Sequence, residues 1–302
     1  AGYGVAFSDM SGDGTADIII GSIYNDSGGT SSGAVYLVES PAPSGDTYLS
    51  SSADAKLVGE AVDDVAGNYM SGGGDVDGDG YEDLFVAAHG SDRNGSNSGA
   101  VYLVKGPIAG TIDLSAADTI LIGDATGDYA GTGLSMEGDV DGDGYDDLMV
   151  GAYYNDSGGS NSGKAYLILD DISGASTLST AADATFTGEV ASDSAGRSVS
   201  IVGDVDGDDL DDIAVGAQGE DSGGSAAGAV YLFTEAPLGN FDLSEADAKF
   251  IGEAAGDYIG TYIAPAGDVN ADGLDDILLG SYTIDTGGSN AGATYLLLSE
   301  GM

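Results

Sequence analysis

Short apolar runs punctuate this chain at a regular interval. Ile18–Ile20, Leu84–Val86, Leu148–Val150, Ile213–Val215 and Ile277–Leu279 carry no polar alternation. Unbroken runs of this length predict strands buried on both faces. Each follows a stretch of glycine and small residues, as in Ala130–Met136 and Ala195–Val202, which predicts a preceding strand. A turn rich in Asp, Ser and Gly comes next and leads to a third strand, Ala34–Val38, recurring from Ala100, Ala165, Ala229 and Ala293. A looser connection then reaches a fourth strand at Lys56–Val58, Ile120–Ile122, Ala184–Thr187 and Lys249–Ile251. Helical periodicity is limited to a short turn such as Leu243–Asp247.

The repeat has a clear period. A nine-residue acidic string starts at Asp9, Asp75, Asp139, Asp204 and Asp268, in steps of 66, 64, 65 and 64 residues. Four antiparallel strands per unit, apolar on both faces, predict an all-β fold, a β-propeller with four-stranded blades. A solenoid rung needs about half that period, and an immunoglobulin-like domain about a hundred residues. The units fall at 1–62, 63–126, 127–191, 192–255 and 256–302, giving one propeller domain of five blades. Only four copies of the fourth strand are found, so the last blade is expected to lack its outer strand.

The acidic strings fall between the first and second strands. Carboxylates at positions 1, 3, 5 and 9, with glycine at 4 and 6, suit a loop curling around a hard cation. Oxygen ligands alone, with no Cys and a single His, point to calcium. The expected ligands are Asp9, Ser11, Asp13, Thr15 and Asp17; Asp75, Asp77, Asp79, Tyr81 and Asp83; Asp139, Asp141, Asp143, Tyr145 and Asp147. The fourth and fifth sets are Asp204, Asp206, Asp208, Leu210 and Asp212, and Asp268, Asn270, Asp272, Leu274 and Asp276. Position 7 varies freely and is expected to offer its backbone carbonyl. Position 8 (Glu82, Asp146, Asp211, Asp275) is expected to face outward. An EF-hand is excluded, because position 12 is a strand residue (Ile20, Val86, Val150, Val215, Leu279) rather than a bidentate Glu. The second and third loops are expected to bind most tightly. The fourth follows, with Asp209 where glycine belongs, and then the first and fifth, which carry Ser11 and Asn270.

Charge sharpens this reading. The 52 acidic residues against 6 basic ones give a formal charge of −46, which excludes nucleic acid as a partner. Five divalent ions would still leave −36, a strong self-repulsion. No run approaches the length of a membrane span, so no membrane insertion is expected. Absence of cysteine removes disulfides and thiolate chemistry. The chain opens at Ala1 without a signal-peptide pattern and is read as a mature or excised segment.

Taken together, Ala195–Val199, Gly203–Asp208, Asp212–Ala217 and Gly228–Phe233 resemble the FG-GAP repeat of integrin α-subunit propellers and bacterial surface proteins. The Gly-small element is kept (Gly151-Ala152, Gly216-Ala217) without its proline, and the phenylalanine of the first element is replaced by Ala, Tyr or Ile. The family usually closes seven blades; a five-bladed ring is favoured here over part of a larger one.

The resemblance implies a secreted or cell-surface protein serving adhesion, assembly or ligand binding. Up to five calcium ions would stabilise its blades, and its partner would be a protein or carbohydrate. Self-association through the open edge of the last blade would add to this. It is not expected to be an enzyme. A propeller glycosidase or lyase and a passive halophile module are the alternatives; Glu137, Glu220 and Arg197, which break the repeat, are the catalytic candidates. A second recurring aspartate (Asp26, Asp92, Asp156, Asp221, Asp285) is read as a turn cap. The third-strand tyrosines (Tyr36, Tyr102, Tyr166, Tyr231, Tyr295) are read as inter-blade packing, and His89 is given no catalytic role.

Overall fold

The apolar runs form the middle strands of five sheets. The computed structural model describes residues 1–42, 44–169 and 173–299, and its chain forms two compact units. The first comprises residues 1–137 and 170–181, the second 138–169 and 182–302.

In the first unit, Val5–Ser8, Asp17–Gly21, Ala34–Val38 and Ala55–Val58 pair antiparallel in chain order, as do Met70–Gly72, Leu84–Ala88, Ala100–Val104 and Thr119–Ile122. Ile19, Leu37 and Leu57 pack with Val86, Tyr102 and Ile120 in one apolar cluster. In the second unit, Leu148–Ala152, Lys164–Ile168 and Ala184–Thr187 form one antiparallel series. Ala195–Gly203, Asp212–Ala217, Ala229–Phe233 and Ala248–Ile251 form the next, and Tyr262–Gly267, Asp276–Ser281 and Ala293–Leu297 the last. The fourth repeat shows why its runs have no polar alternation. Ile213, Val215 and Tyr231 pack against Met149, Leu167 and Phe186 on one side. Ala214, Val230 and Leu232 pack against Ile277 and Leu279 on the other. Antiparallel sheets stacked through both faces are β-propeller blades. The last sheet has three strands among the described residues.

One element has no counterpart in the strand pattern. Gly110–Asp113 lies parallel to Ala55–Val58, Gly174–Thr177 to Thr119–Ile122, and Gly239–Asp242 to Ala184–Thr187. The loose connection of one repeat thus covers the outer edge of the blade before it, hiding backbone groups that would otherwise template aggregation. A buried leucine in the short turn after each covering strand (Leu114, Leu178, Leu243) anchors it.

Candidate metal centre

Each acidic string joins the first two strands of a repeat, and its backbone is wound by residues with positive φ. Positions 4 and 6 are left-handed throughout: Gly78 and Gly80 at +71° and +89°, Gly142 and Gly144 at +77° and +93°. Asp209 and Ala271 occupy this region in the fourth and fifth loops, at +71° and +61°, where a side chain costs about 1–2 kcal/mol. This winding aims the N–H groups at position 1. Asp139 accepts from Gly142, Asp143 and Gly144 at 2.7, 3.0 and 2.8 Å, and Asp75 from Gly78, Asp79 and Gly80 at 2.7, 3.1 and 2.9 Å.

Position 9 sits differently from the rest of the loop. Asp17, Asp83, Asp147, Asp212 and Asp276 are all buried at the start of the second strand. One oxygen accepts from the backbone near the loop's start: Val76 N to Asp83, Val140 N to Asp147, Val205 N to Asp212 and Val269 N to Asp276. In three of the loops the other accepts from the chain leaving the third strand: Ser40 N to Asp17, Gly106 N to Asp83 and Ser299 N to Asp276. Asp147 Oδ1 is buried without a hydrogen-bond partner among the described residues. Position 9 therefore ties the loop to two strands of its sheet.

Positions 1, 3 and 9 converge. Asp75, Asp77 and Asp83 place carboxylate oxygens within 4.8 Å of one another, as do Asp139, Asp141 and Asp147, and Asp204, Asp206 and Asp212. Position 5 lies outside these triads, and its oxygen accepts from the position-7 N–H (Tyr81 to Asp79, Tyr145 to Asp143, each 2.9 Å). The first and fifth loops, with Ser11 and Asn270, hold two acids where the others hold three. The triads carry unneutralised charge. Burial, opposed in part by backbone hydrogen bonds and reinforced by the loop's other carboxylates, pushes Asp83 up to about 6, Asp212 to about 7 and Asp147 to about 8. Hard oxygen donors converging with excess negative charge fit a calcium ion.

Position 8 does not face outward. Glu82 accepts from Ser8 Oγ and Asp9 N of the preceding repeat's loop, and Asp211 from Asp139 N at 2.8 Å. Asp146 accepts from Gly138 N at 2.8 Å, and the Asp275 carboxylate lies against Gly203, where an added Cβ would sit 2.1 Å from Asp275 Oδ2. Counting alternate positions assumes an extended chain, whereas the left-handed turns at positions 4 and 6 reset which side each residue faces. Glu82 and Asp211 latch successive loops together. Asp211→Ala is expected to cost about 2 kcal/mol, the range of a charge-assisted hydrogen bond, measured by urea denaturation with and without calcium.

The remaining recurrent residues serve the frame. Asp26, Asp92, Asp156, Asp221 and Asp285 each accept from the N–H five residues on, at 2.9, 2.8, 2.7, 2.7 and 2.6 Å, and that residue is left-handed every time. They cap turns. Tyr102, Tyr166 and Tyr231 are fully buried, with Tyr102 donating to Glu60 and Tyr231 to Glu189. Lys56, Arg93, Lys164 and Lys249 lie 5.2, 5.9, 5.0 and 4.9 Å from the ring centres of Tyr36, Tyr102, Tyr166 and Tyr231. The few basic residues are therefore placed, a role their scarcity hid, although Lys56 and Lys249 share one phase of the repeat. Of the residues that break the repeat, Glu220 accepts from Lys249 and Ser222, and Arg197 lies over the Tyr153 ring. Glu137 lines a cavity of about 510 Å³ with Asp9 and Glu82. His89 packs between Tyr69 and Tyr129.

Comparison with known proteins agrees with this geometry. The FG-GAP repeat matches residues 70–104, 130–168 and 195–233. Integrin alpha-4 of Xenopus laevis is 31% identical over 173 residues, covering 52% of this chain and 14% of that protein. Integrin alpha-PS2 of Drosophila melanogaster is 31% identical over 173 residues (51% and 12%), and integrin alpha-IIb of Mus musculus 33% over 159 residues (50% and 15%). The matched region thus spans about a seventh of these relatives. Among solved structures, BBS1N in complex with ARL6DN covers 97% of this chain and 79% of its own, with a TM-score of 0.44 and 9% identity, too distant to carry an argument. Residues 70–104, 130–168 and 195–233 are thus FG-GAP repeats, and the chain is similar to integrin α subunits.

Proposed function

We propose that this protein is a calcium-stabilised propeller that works outside the cell as an adhesion or ligand-binding module. The observation that carries the reading is the recurrence of one oxygen triad, at one phase of an integrin-like repeat, in three successive hairpins. Asp75, Asp77 and Asp83, with their counterparts in the third and fourth loops, hold the ion. Position 5 and the position-7 carbonyl complete its shell, and the first and fifth loops bind more weakly, for up to five ions in all. Calcium supplies positive charge that the buried position-9 aspartates lack, fixing each hairpin to its sheet.

The partner is a protein or carbohydrate at the cell surface, met by loops of the propeller. Self-association through the edge of the last sheet adds a second mode, and Leu296 and Leu298 there are 47% and 43% exposed. Catalysis is not part of the proposal, since Glu220 and Arg197 are engaged within the fold.

The test is a direct count of bound metal. Equilibrium dialysis against calcium should find at least three ions per chain. The combined variant Asp77→Ala, Asp141→Ala and Asp206→Ala should lose those three while retaining its strand signal in circular dichroism. Uptake of none, or uptake indifferent to these substitutions, would refute the calcium reading.

A further inference from the structure

The second and third loops read almost identically, Asp75–Asp83 and Asp139–Asp147 differing only in Glu82 against Asp146 at position 8. Any large difference in their affinity must come from outside the loop. One position approaches each loop from the end of the third strand, and a shared hydrogen bond defines it. Glu39 N, Lys105 N, Leu169 N and Thr234 N donate to Asp54, Asp118, Asp183 and Asp247 at 2.9, 3.1, 3.0 and 3.0 Å. In the first and second members of this series the next step is visible: Ser40, directly after Glu39, donates its N–H to the position-9 Asp17, and Gly106, directly after Lys105, donates to the position-9 Asp83. A side chain here stands beside the ion site, and the repeats fill it with an acid, a base, an aliphatic residue and a hydroxyl.

Lys105 uses that place to reach the triad. Its Nζ lies 3.2 Å from Asp77 Oδ2, and both side chains are half-buried. The ammonium therefore occupies one of the three carboxylates that converge for a cation. Leu169 brings no charge to the third loop.

We infer that Lys105 is a tethered cation that competes with calcium at the second loop, making it a weaker, higher-threshold site than the third. This rests on the calcium reading above. An arriving ion must either displace the ammonium from Asp77 or bind against its charge a few ångströms away, a repulsion large enough to lower affinity about tenfold at a partly buried site. The same ammonium neutralises the loop while no ion is bound, so it acts in opposite directions on the two states. A chain with graded sites would keep its third loop filled while the second responds to changes in calcium.

Terbium luminescence can read the two loops separately once the other loops are disabled, which is needed because the Tyr81 ring also lies against Gly12 of the first loop. With Asp9→Ala, Asp141→Ala, Asp206→Ala and Asp268→Ala, the tyrosine-sensitised signal reports the second loop; with Asp77→Ala in place of Asp141→Ala, it reports the third. Terbium should bind the third loop about tenfold more tightly. Lys105→Met should tighten the second loop to match, leave the third unchanged, and lower the melting temperature of the metal-free protein. Lys105→Arg should keep the gap. Equal affinities in the parent loops, or a second loop unchanged or weakened by Lys105→Met, would overturn the inference and leave the calcium reading standing. Failure of both loops to take up terbium would overturn both.

Discussion

Gly163→Ala is expected to cost about 4 kcal/mol or more, while Gly256→Ala, in the same unit, costs about 1–2 kcal/mol. Both glycines are left-handed, at +78° and +85°, so an added Cβ strains the backbone equally. Their surroundings differ. A Cβ on Gly163 would sit 2.2 Å from Ala195 O and 2.3 Å from Ala195 N, whereas one on Gly256 meets nothing within 4 Å. Ala195 opens the first strand of the next repeat, so the clash falls where one blade's turn meets the following blade's backbone. Neither group can yield without moving a strand. Gly163 N also accepts no substitute geometry, because it donates to Asn155 O at 2.9 Å inside its own turn. Chemical denaturation of the two single variants isolates the contact from the strain they share. Equal losses would mean that blade spacing tolerates a methyl group and that close approach does not define this repeat.

The contrast between those glycines bears on what could be read from sequence. The middle strands were legible because burial on both faces leaves a run such as Ile213–Val215 without polar residues. The acidic loops were legible because five copies share one phase, and the capping aspartates because Asp26 and its equivalents stand in turn-forming surroundings. Gly163 and Gly256 look alike in sequence, since the difference lies in a neighbour some thirty residues on. The covering strands were hidden for a related reason. Gly110–Asp113, Gly174–Thr177 and Gly239–Asp242 read GTID, GAST and GNFD, with their pairing made by backbone atoms and little apolar signal. Position 8 was misread at Glu82 and Asp211 because their partners belong to the preceding repeat. Glu82 finds Asp9 N only once two blades are packed. Lys105 was invisible as a neighbour of Asp77, because the third strand returns it to the loop from 28 residues away.

Calcium should raise the melting temperature by about 15 °C at pH 8 and by much less at pH 5. Three sites, each filled at a hundred times its dissociation constant, contribute about 8 kcal/mol, and a chain of this size gains about 2 °C per kcal/mol. The pH dependence follows from the position-9 aspartates. Burial pushes Asp83, Asp212 and Asp147 up to about 6, 7 and 8 in the folded protein without metal, against 3.8 for an ordinary aspartate carboxyl. Between about pH 4 and 8 the folded state then holds protons that the unfolded chain has released. Stability without calcium is fully present below the unfolded value and is lost as pH rises through 6, 7 and 8. Calcium takes the place of those protons, so its binding releases them and its affinity climbs over the same window. Melting curves in chelator should therefore fall from pH 5 to pH 8, while those in millimolar calcium should hold level or rise. Holding sodium chloride near 1 M shortens the screening length to about 3 Å and suppresses the general repulsion of a chain carrying −46, leaving the local effect. A gap between the two curves that is constant with pH would show that the ion does not replace these protons. A gap closed by sodium chloride alone would make the aspartates an adaptation to brine instead of ligands.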